Sequence, residues 1–366
     1  MLKFLTLKEE TFGLDITDLS LKIVKLKKKN KSFDLVSFNQ LEIKPGIIEE
    51  GIIKNEEALV KIIKTACQNI KGKKLDTKYV FASLPEEKSF LQVIQMPKMK
   101  EKELVSAVPF QAENYIPLPI DDVYLDFQTI YPIKNYLNYL NVLIVAMPKK
   151  IVDSYISCFK KAGLIPIVLE VESQAIARAL IKKEEAGSAP LILIDFGKNN
   201  IDFIIFSDHS IRFTCSVPIS SQQLTMAISE NLKINYDKAE KLKIEYGLIG
   251  EKKNDKAKKI LQIMTPILND LISQIQKYSN FYHDHSFDEH ILPDGKIEKI
   301  LLCGGGANLK GLPEFLFKNL GIPVELGNPR INFLSKRLNN AINKNILSFT
   351  TAIGLALRAM DDKENY

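Results

Sequence analysis

Two stretches of the chain share one pattern, in which an apolar run, an aspartate, a turn and a second apolar run follow each other. The first is Leu191–Phe206, LILIDFGKNNIDFIIF, where four apolar residues precede Asp195. The second is Phe12–Leu26, FGLDITDLSLKIVKL, with Asp15 at the corresponding position. Each stretch predicts a buried strand, a tight turn and a returning strand. Because one unit heads each half of the chain, we expect two related lobes facing one cleft.

The two aspartates suggest a chemistry for these turns. A carboxylate near a strand end, beside exposed turn amides, suits a hydrated Mg²⁺ and the phosphates that this ion neutralises. Ordinary hairpins with solvated aspartates would explain either unit alone. The presence of the unit in both halves favours the magnesium and phosphate interpretation.

The rest of the first half alternates strands and helices. Apolar residues alternate as in a strand over Ser32–Ile43, follow helical spacing over Glu56–Ile70, and form a short buried strand at Tyr79–Ser83. This order predicts an α/β lobe with a mixed sheet. The segment Leu84–Pro148 predicts a strand, a helix and two more strands, the size of a small inserted module. The lobe then resumes and ends with a predicted helix over Ala175–Lys182.

A linker at Glu184–Pro190 is expected to separate the halves. The helices predicted after it are Ser221–Leu232, Tyr236–Tyr246, Asn254–Tyr282 and Asn345–Met360. Asp237 is placed to cap the second of these helices. A buried strand over Ile297–Cys303 leads into a run of glycines.

Composition narrows the class of protein. At 366 residues the chain is long enough for two domains, and 46% hydrophobic with 26% charged residues is an ordinary globular composition. The net charge of +6 comes from lysines spread over the chain, with only five arginines. Nucleic-acid surfaces usually gather arginine and aromatic residues on one face. We therefore expect a solvated surface with no nucleic-acid partner, and a further option is attraction to an anionic membrane face.

Cysteines and apolar runs bear on the compartment. The four cysteines are widely separated and form no CxxC pair, which fits a reducing compartment. The first twelve residues lack the apolar core of a signal peptide, and no run approaches the roughly 18 apolar residues of a membrane helix. We expect a cytoplasmic protein that reaches the membrane only through a partner.

The glycine run Cys303–Leu312, CGGGANLKGL, follows a predicted strand and precedes a helix. Glycine lets a backbone approach a flat base or a phosphate with no Cβ in the way. The run is neither GxGxxG nor a Walker A loop, because Leu312 stands where Lys-Ser/Thr must follow. A tight strand–helix turn would explain it equally well.

Two further groups have both a functional and an ordinary interpretation. Glu240 and Lys243 lie three residues apart on one helical face, where they could hold ribose hydroxyls and an adenine edge, or simply form an ion pair worth ~0.3 kcal/mol. His283, His285 and His290 lie in HDHSFDEH, for which a solvated loop or helix end is favoured over a metal site.

In chain order these motifs are an Asp turn, Glu-Ser-x-Ala, an Asp-x-Gly turn, Ala-Glu-x-x-Lys, and Gly-Gly-Gly-Ala followed by Gly-Leu. The set resembles the superfamily of actin, heat-shock chaperone ATPases and sugar kinases. Within it, the chain is similar over Phe12–Met360 to the family of pilus-assembly proteins PilM, actin-like relatives of the cell-division protein FtsA. The most family-specific parts are Met96-Pro97, Glu113–Pro117, Tyr124–Asp126, Ala239–Lys243 and Gly354–Arg358.

The resemblance implies a fold and a division into domains. The fold is a two-lobed actin-like α/β fold, a ribonuclease H-like repeat, with an inserted small α+β subdomain. The first lobe (1A) would comprise 1–83 and 149–186, with the inserted subdomain (1C) at 84–148. The second lobe (2A) would comprise 187–218 and 294–344, with subdomain 2B at 219–293, and 345–366 would be a C-terminal helix and tail.

The resemblance also implies a site for ATP and Mg²⁺. Asp15 and Asp195 would bind the metal through waters, while the turns Thr17–Ser20 and Gly197–Asn200 present amides to the phosphates. The implied nucleotide-binding residues are Asp15, Thr17, Lys22, Asp195, Gly197, Lys198, Glu240, Lys243, Gly304, Gly305 and Gly306. Glu172 matches the superfamily glutamate that orients the attacking water, a role that needs hydrogen-bond reach of that water.

The chain departs from the family pattern in four places. Thr17 replaces a glycine in the first turn, and Asp18 adds a negative charge beside the phosphates. Lys198 stands where a small residue is usual and would offset Asp18. Ser173 replaces the proline after Glu172, and serines at 220 and 221 replace a Gly-Gly turn. We therefore expect ATP binding, with at most slow hydrolysis.

The function that the resemblance implies is a cytoplasmic ATP-binding scaffold of the type IV pilus machine, at the inner face of a bacterial membrane. Its partner would be the short cytoplasmic N-terminal peptide of a PilN-like membrane protein, lying extended between the first lobe and the inserted module, which is ordinary peptide recognition. Nucleotide state would bias that binding. Other pilus assembly components are further partners, and a homo-oligomer is left open.

Three alternatives remain at this point. A small-molecule kinase of the superfamily would need a polar substrate site, whereas the segment 84–148 is apolar, proline-rich and without histidine. An FtsA-like filament former that anchors itself would need a basic amphipathic C-terminal helix, which DDKENY is not. A nucleotide-free interaction module is the third, and the charge of Asp18 favours it.

Overall fold

The computed structural model describes residues 10–29, 32–130, 139–182, 189–249, 255–286, 296–332 and 340–361. The chain divides into two compact units. Unit 1 comprises Met1–Lys183, Ser210–Arg212 and Pro329–Tyr366, and unit 2 comprises Glu184–His209 and Phe213–Asn328. The predicted linker falls largely outside the described residues, as does the histidine segment from 287 onward.

Unit 1 is built on a mixed sheet with helices packed against it. Its strands are β1 (Thr11–Thr17), β2 (Ser20–Lys29), β3 (Ser32–Glu42), β4 (Ile48–Glu49), β5 (Ile52–Ile53), β6 (Lys71–Gly72), β7 (Tyr79–Leu84), β8 (Phe90–Pro97), β9 (Val123–Ile130), β10 (Tyr139–Pro148) and β11 (Ile165–Val171). Its helices are α1 (Glu56–Gln68), α2 (Glu101–Ala112), α3 (Lys149–Lys161), α4 (Glu172–Leu180), α9 (Asn340–Asn343) and α10 (Thr350–Asp361). The main sheet has the order β11-β7-β1-β2-β3-β6, in which β1 pairs antiparallel with β2 and parallel with β7.

The C-terminal helix α10 packs closely against strand β1 and against helix α4, and a glycine permits each of the two contacts. A Cβ on Gly13 of β1 would lie 2.5 Å from the carbonyl oxygen of Ala352, and a Cβ on Gly354 of α10 would lie 1.9 Å from that of Ala175. Arg178 then donates to the carbonyl oxygen of Gly354 at 3.1 Å. Helix α10 is therefore part of the core of unit 1.

The predicted β-α-β-β module is present in unit 1. Strands β8, β10 and β9 pair antiparallel in that order. Helix α2 packs its buried residues Leu104, Val108 and Ala112 against the strands in one apolar cluster. Residues on its other face, above all Phe110, are exposed.

The strands of unit 2 are hydrogen-bonded in the order β16-β15-β12-β13-β14. Its strands are β12 (Leu191–Phe196), β13 (Ile201–Ser207), β14 (Ser210–Val217, with Phe213 onward in the unit), β15 (Lys299–Cys303) and β16 (Val324–Leu326). Its helices are α5 (Ser221–Leu232), α6 (Tyr236–Tyr246), α7 (Asp255–Ser286) and α8 (Leu312–Leu320). The parallel pairing of β12 with β15 sets Asp195 opposite Cys303, where the glycine run begins.

Three of the differences from the sequence predictions concern how helices begin. Helix α4 begins at Glu172, not Ala175, so this glutamate lies in the first helical turn. Helix α6 is capped by Asn235, whose side chain accepts from the Lys238 amide, because Asp237 already lies inside the helix. The C-terminal helix is preceded by a 3₁₀ turn at Ile346–Phe349. Within the described ranges, no helix has both the length and the apolar character needed to cross a membrane.

Candidate functional site

In unit 1 the candidate metal ligand Asp15 lies inside a strand. It is 1% exposed and stands opposite Lys22 across the β1–β2 pair. Lys22 Nζ donates to Asp15 Oδ2 at 3.0 Å, and the Ser83 hydroxyl donates to Oδ1 at 3.1 Å. The carboxylate therefore has a fixed orientation and a balancing charge, which a buried ion pair needs.

The β1–β2 turn carries the two residues that depart from the family pattern. Thr17 and Ser20 bring their hydroxyl oxygens to 2.9 Å. The carboxylate of Asp18 accepts from the backbone amides of Glu50 at 2.8 Å and Gly51 at 2.9 Å. Asp18 thus anchors the turn between β4 and β5, and two amides stabilise its charge.

Glu172 forms a reciprocal capping arrangement with Glu86. The Glu86 amide donates to Glu172 Oε2 at 3.4 Å, and the Ser173 amide donates to Glu86 Oε2 at 2.9 Å. Both carboxylates are buried and lie near the positive end of the α4 dipole, which favours negative charge. For the neighbouring Glu87, burial, with help from the charge of Asp18, raises the pKa to about 7.

In unit 2 Asp195 and the glycine run lie side by side. A Cβ on Gly304 would lie 2.1 Å from Asp195 Oδ1, and Gly304 has a φ of +82° that favours glycine. A Cβ on Gly306 would lie 2.7 Å from the Phe196 ring. By contrast, a Cβ on Gly305 would meet no described atom within 4 Å. Two of the three predicted glycines are therefore required by the backbone that surrounds Asp195.

The second turn is tied to the start of helix α5. The Gly197 amide donates to the carbonyl oxygen of Asn200 at 3.0 Å, which closes the turn. The first amides of α5 then donate to this turn, Ser221 to the Gly197 carbonyl oxygen at 3.2 Å and Gln222 to that of Lys198 at 3.1 Å. The side chain of Lys198 is exposed. Two backbone hydrogen bonds therefore join this turn to the start of α5.

Lys243 lies at the centre of the α5–α6 contact and is 5% exposed. Its ammonium is 2.8 Å from Glu240 Oε2 and donates to Ser221 Oγ and Thr225 Oγ1, each at 2.8 Å. Thr225 also donates to Glu240. Burial lowers the pKa of Lys243, although Glu240 opposes this shift. Because the three donors of an ammonium are occupied here, Glu240 is the freer of the two toward a ligand.

Each unit, taken by itself, offers a group that suits Mg²⁺ chemically. Carboxylate oxygens are the donors that Mg²⁺ prefers, and the candidates are Asp15 in unit 1 and Asp195 in unit 2. The glycines beside Asp195 leave space that any Cβ would fill. Over the described residues, there is no group of three or more His, Cys, Asp or Glu side chains that could hold a metal ion.

Some residues of the site were missed from the sequence. Ser83 orients Asp15, Glu86 pairs with Glu172, and Thr225 holds Lys243. Ser83 could have been found, because the strand it ends was predicted to be buried and pairs directly with β1. No sequence signal marks the other two, since their contacts depend on tertiary packing.

Comparisons with known proteins bear on the family and the fold of the chain. The sequence model of a family described as "Type IV pilus assembly protein PilM" matches residues 13–360. The cell division protein FtsA of Neisseria meningitidis serogroup B is 26% identical over 216 residues, which is 54% of this chain and 49% of that protein. FtsA of Pseudomonas aeruginosa is 24% identical over 226 residues, 57% of this chain and 51% of that protein. The chain spans about half the length of the curated relatives it matches.

Solved structures give the fold. The structure described as "PilM-PilN type IV pilus biogenesis complex" has a TM-score of 0.78 and 26% identity, and the match covers 96% of this chain and 98% of that one. MreB 5 of Spiroplasma citri, described as bound to AMPPNP, has a TM-score of 0.59 and 12% identity, with 98% of both chains covered. The predicted actin-like fold is confirmed.

Proposed function

Because the chain belongs to the family of type IV pilus assembly proteins PilM, we propose that it is an ATP-binding scaffold of a type IV pilus assembly machine. The match over residues 13–360 is the observation that carries this proposal. The scaffold acts at the inner face of the cell membrane and is cytoplasmic. Its link to the membrane is a partner protein.

The nucleotide is Mg²⁺–ATP. The metal, when bound, neutralises phosphate charge, and Asp15 and Asp195 hold it through waters. Lys22 lies beside Asp15 and supplies a cation near the phosphates, the first and second turns present their amides, and the glycine run lies along the base. The orientation of Asp15 by Lys22 and Ser83, and the contact of Gly304 with Asp195, support this assignment.

Calorimetry tests nucleotide binding. Asp195→Ala should abolish Mg²⁺-dependent ATP binding while the far-ultraviolet circular dichroism of the chain is unchanged. Asp270→Ala, in the same unit and exposed, is the matched control and should bind ATP as the parent chain does. An unchanged ATP affinity in Asp195→Ala would refute the site.

Hydrolysis, if it occurs, is slow and depends on Glu172. The carboxylate of Glu172 is held by the Glu86 amide in the first turn of α4. We propose that it orients the attacking water. Glu172→Ala should keep ATP affinity and lose whatever turnover the parent chain shows by phosphate release. Equal turnover in the two proteins would remove Glu172 from this role.

The partner is the N-terminal cytoplasmic peptide of a PilN-like membrane protein. The similar solved structure described as a PilM–PilN complex supports this assignment. The inserted module also exposes several large apolar side chains, which marks contact surfaces in soluble proteins. They are Val105, Phe110, Leu118 and Tyr124.

A synthetic peptide with the N-terminal sequence of the PilN-like protein from the same organism should bind saturably, and a scrambled peptide should not. Equal binding of both peptides would contradict the assignment.

A further inference from the structure

A groove in unit 2 lies on the side of α5 that faces α7. It encloses about 830 Å³ and is formed by the end of β14, one face of α5 and the middle of α7. Its apolar surface includes Val217, Met226, Ile267 and Tyr278. Met226 is 44% exposed, whereas Ile228 on the same helix is fully buried. This groove shares no residue with the candidate nucleotide site.

The apolar surface of the groove is held in place from behind. The Tyr278 hydroxyl lies 2.9 Å from Cys215 Sγ, and its ring packs at centroid distances of 5.1 Å from Phe203 and 5.5 Å from Phe213. The Gln223 side chain donates to the carbonyl oxygen of Pro218 at 2.9 Å. A surface that is already ordered loses little entropy when a ligand binds. Met226 adds a flexible thioether, which adapts to different apolar side chains.

The charge of the groove is opposite to that of the whole chain. Glu230 and Asp270 are the only charged side chains among the described residues that line it. Both are exposed, and neither forms a salt bridge within the described part of the chain. The chain as a whole has 50 lysines and arginines against 44 acidic residues. Two free carboxylates beside an apolar surface attract a ligand that is both apolar and cationic.

We propose that the groove between α5 and α7 binds a short segment of a partner protein in which large apolar side chains are flanked by lysine or arginine. The apolar side chains fill the space over Met226 and Tyr278. The flanking cations pair with Glu230 and Asp270. Because these pairs are exposed, salt screens them and the affinity falls as ionic strength rises.

Helix α5 contributes residues both to the contact with Lys243 and to the groove. Ser221 and Thr225 on α5 contact Lys243, whereas Gln223, Met226 and Glu230 line the groove. A bound segment therefore leaves the nucleotide-contacting residues uncovered. Binding to the groove is expected without nucleotide, so the test does not depend on the proposed ATP site.

The test starts from a random peptide library displayed on phage and selected against the full chain without nucleotide. Peptides that also bind the double variant Glu230→Lys with Asp270→Lys are removed. Recovered peptides are synthesised and titrated by fluorescence anisotropy against the parent chain, the double variant and Met226→Glu. Glu245→Lys reverses an exposed acid on α6, outside the groove, and is the matched control.

We expect the recovered peptides to combine large apolar residues with lysine or arginine. Their affinity should fall at least about tenfold in the double variant and in Met226→Glu, and stay within about twofold in Glu245→Lys. The proposal is overturned if no peptide prefers the parent chain, if the preferred peptides lack cations, or if Glu245→Lys weakens binding equally. It is also overturned if sedimentation shows that the parent chain self-associates and the double variant does not, since a second copy then fills the groove.

Discussion

The substitution Gly304→Ala tests whether the glycine run is shaped by Asp195. The new Cβ would lie 2.1 Å from Asp195 Oδ1 and 2.6 Å from the carbonyl oxygen of Phe196, far inside van der Waals contact. The φ of +82° adds a backbone cost of about 1–2 kcal/mol for a residue with a Cβ. The backbone or the Asp195 carboxylate must therefore move.

The control for this prediction is Gly321→Ala at the end of α8. Gly321 has a similar φ of +70°, but its Cβ would meet no described atom within 4 Å. It carries the backbone cost without the clash. Both variants should lose about 1–2 kcal/mol of unfolding free energy, and Gly304→Ala more than Gly321→Ala.

The assays are denaturant unfolding and calorimetric titration of Mg²⁺–ATP. Gly304→Ala should lower ATP affinity at least about tenfold, or about 1.4 kcal/mol, whereas Gly321→Ala should leave it within about twofold. If both variants bind ATP like the parent chain, the glycine run does not serve the nucleotide. If both variants lose the same unfolding free energy, the close approach of Gly304 to Asp195 does not contribute to stability.

Three other predictions concern buried charges. The pKa of Glu87 is raised from 4.5 to about 7 in the folded chain, so the folded state favours the neutral carboxyl group. The stability that this group contributes is complete below about pH 4.5 and is lost as the pH rises through about 7. Glu87→Gln should therefore match the parent chain near pH 4.5 and exceed its unfolding free energy near pH 8 by up to about 3 kcal/mol in denaturant titrations, and a pH-independent difference would contradict this. Lys243→Met should lower the free energy of unfolding by about 2–4 kcal/mol, because Glu240 then keeps only its Thr225 partner. A decrease of less than about 0.5 kcal/mol would show that the ion pair is dispensable. Arg358→Met should lower the free energy of unfolding by about 1–3 kcal/mol, because the buried Glu170 carboxylate loses one of its two arginine partners. The prediction is refuted if calorimetry shows the variant unfolding at the same temperature as the parent chain.

Much of the fold follows from local patterns in the sequence. Helices α5 and α6 begin and end where apolar spacing predicts, at Ser221–Leu232 and Tyr236–Tyr246. The β-α-β-β module is likewise recognisable from its alternation and its proline boundaries. The start of α4 is not, because the Ser173 amide in its first turn donates to Glu86, a residue that is distant in sequence. The cap of α6 was misassigned because two capping residue types, Asn235 and Asp237, stand close together.

The candidate site shows the same division. The pattern of aspartates and glycines points to Asp195 and the run at Gly304, and the parallel pairing of β12 with β15 brings them together. The role of Asp18 depends on contacts with Glu50 and Gly51, which are distant in sequence. The resemblance to the family implies a charge beside the phosphates, and the structure shows that two backbone amides hold this charge.

A double-mutant cycle in Mg²⁺–ATP affinity tests most directly whether one metal–nucleotide depends on both aspartates. The four proteins are the parent chain, Asp15→Asn, Asp195→Asn and the double variant, each titrated by calorimetry. If both side chains hold the same metal, each single change should remove most of the affinity, and the double variant should lose little more than either. Losses that add, or single variants that bind like the parent chain, would contradict the account.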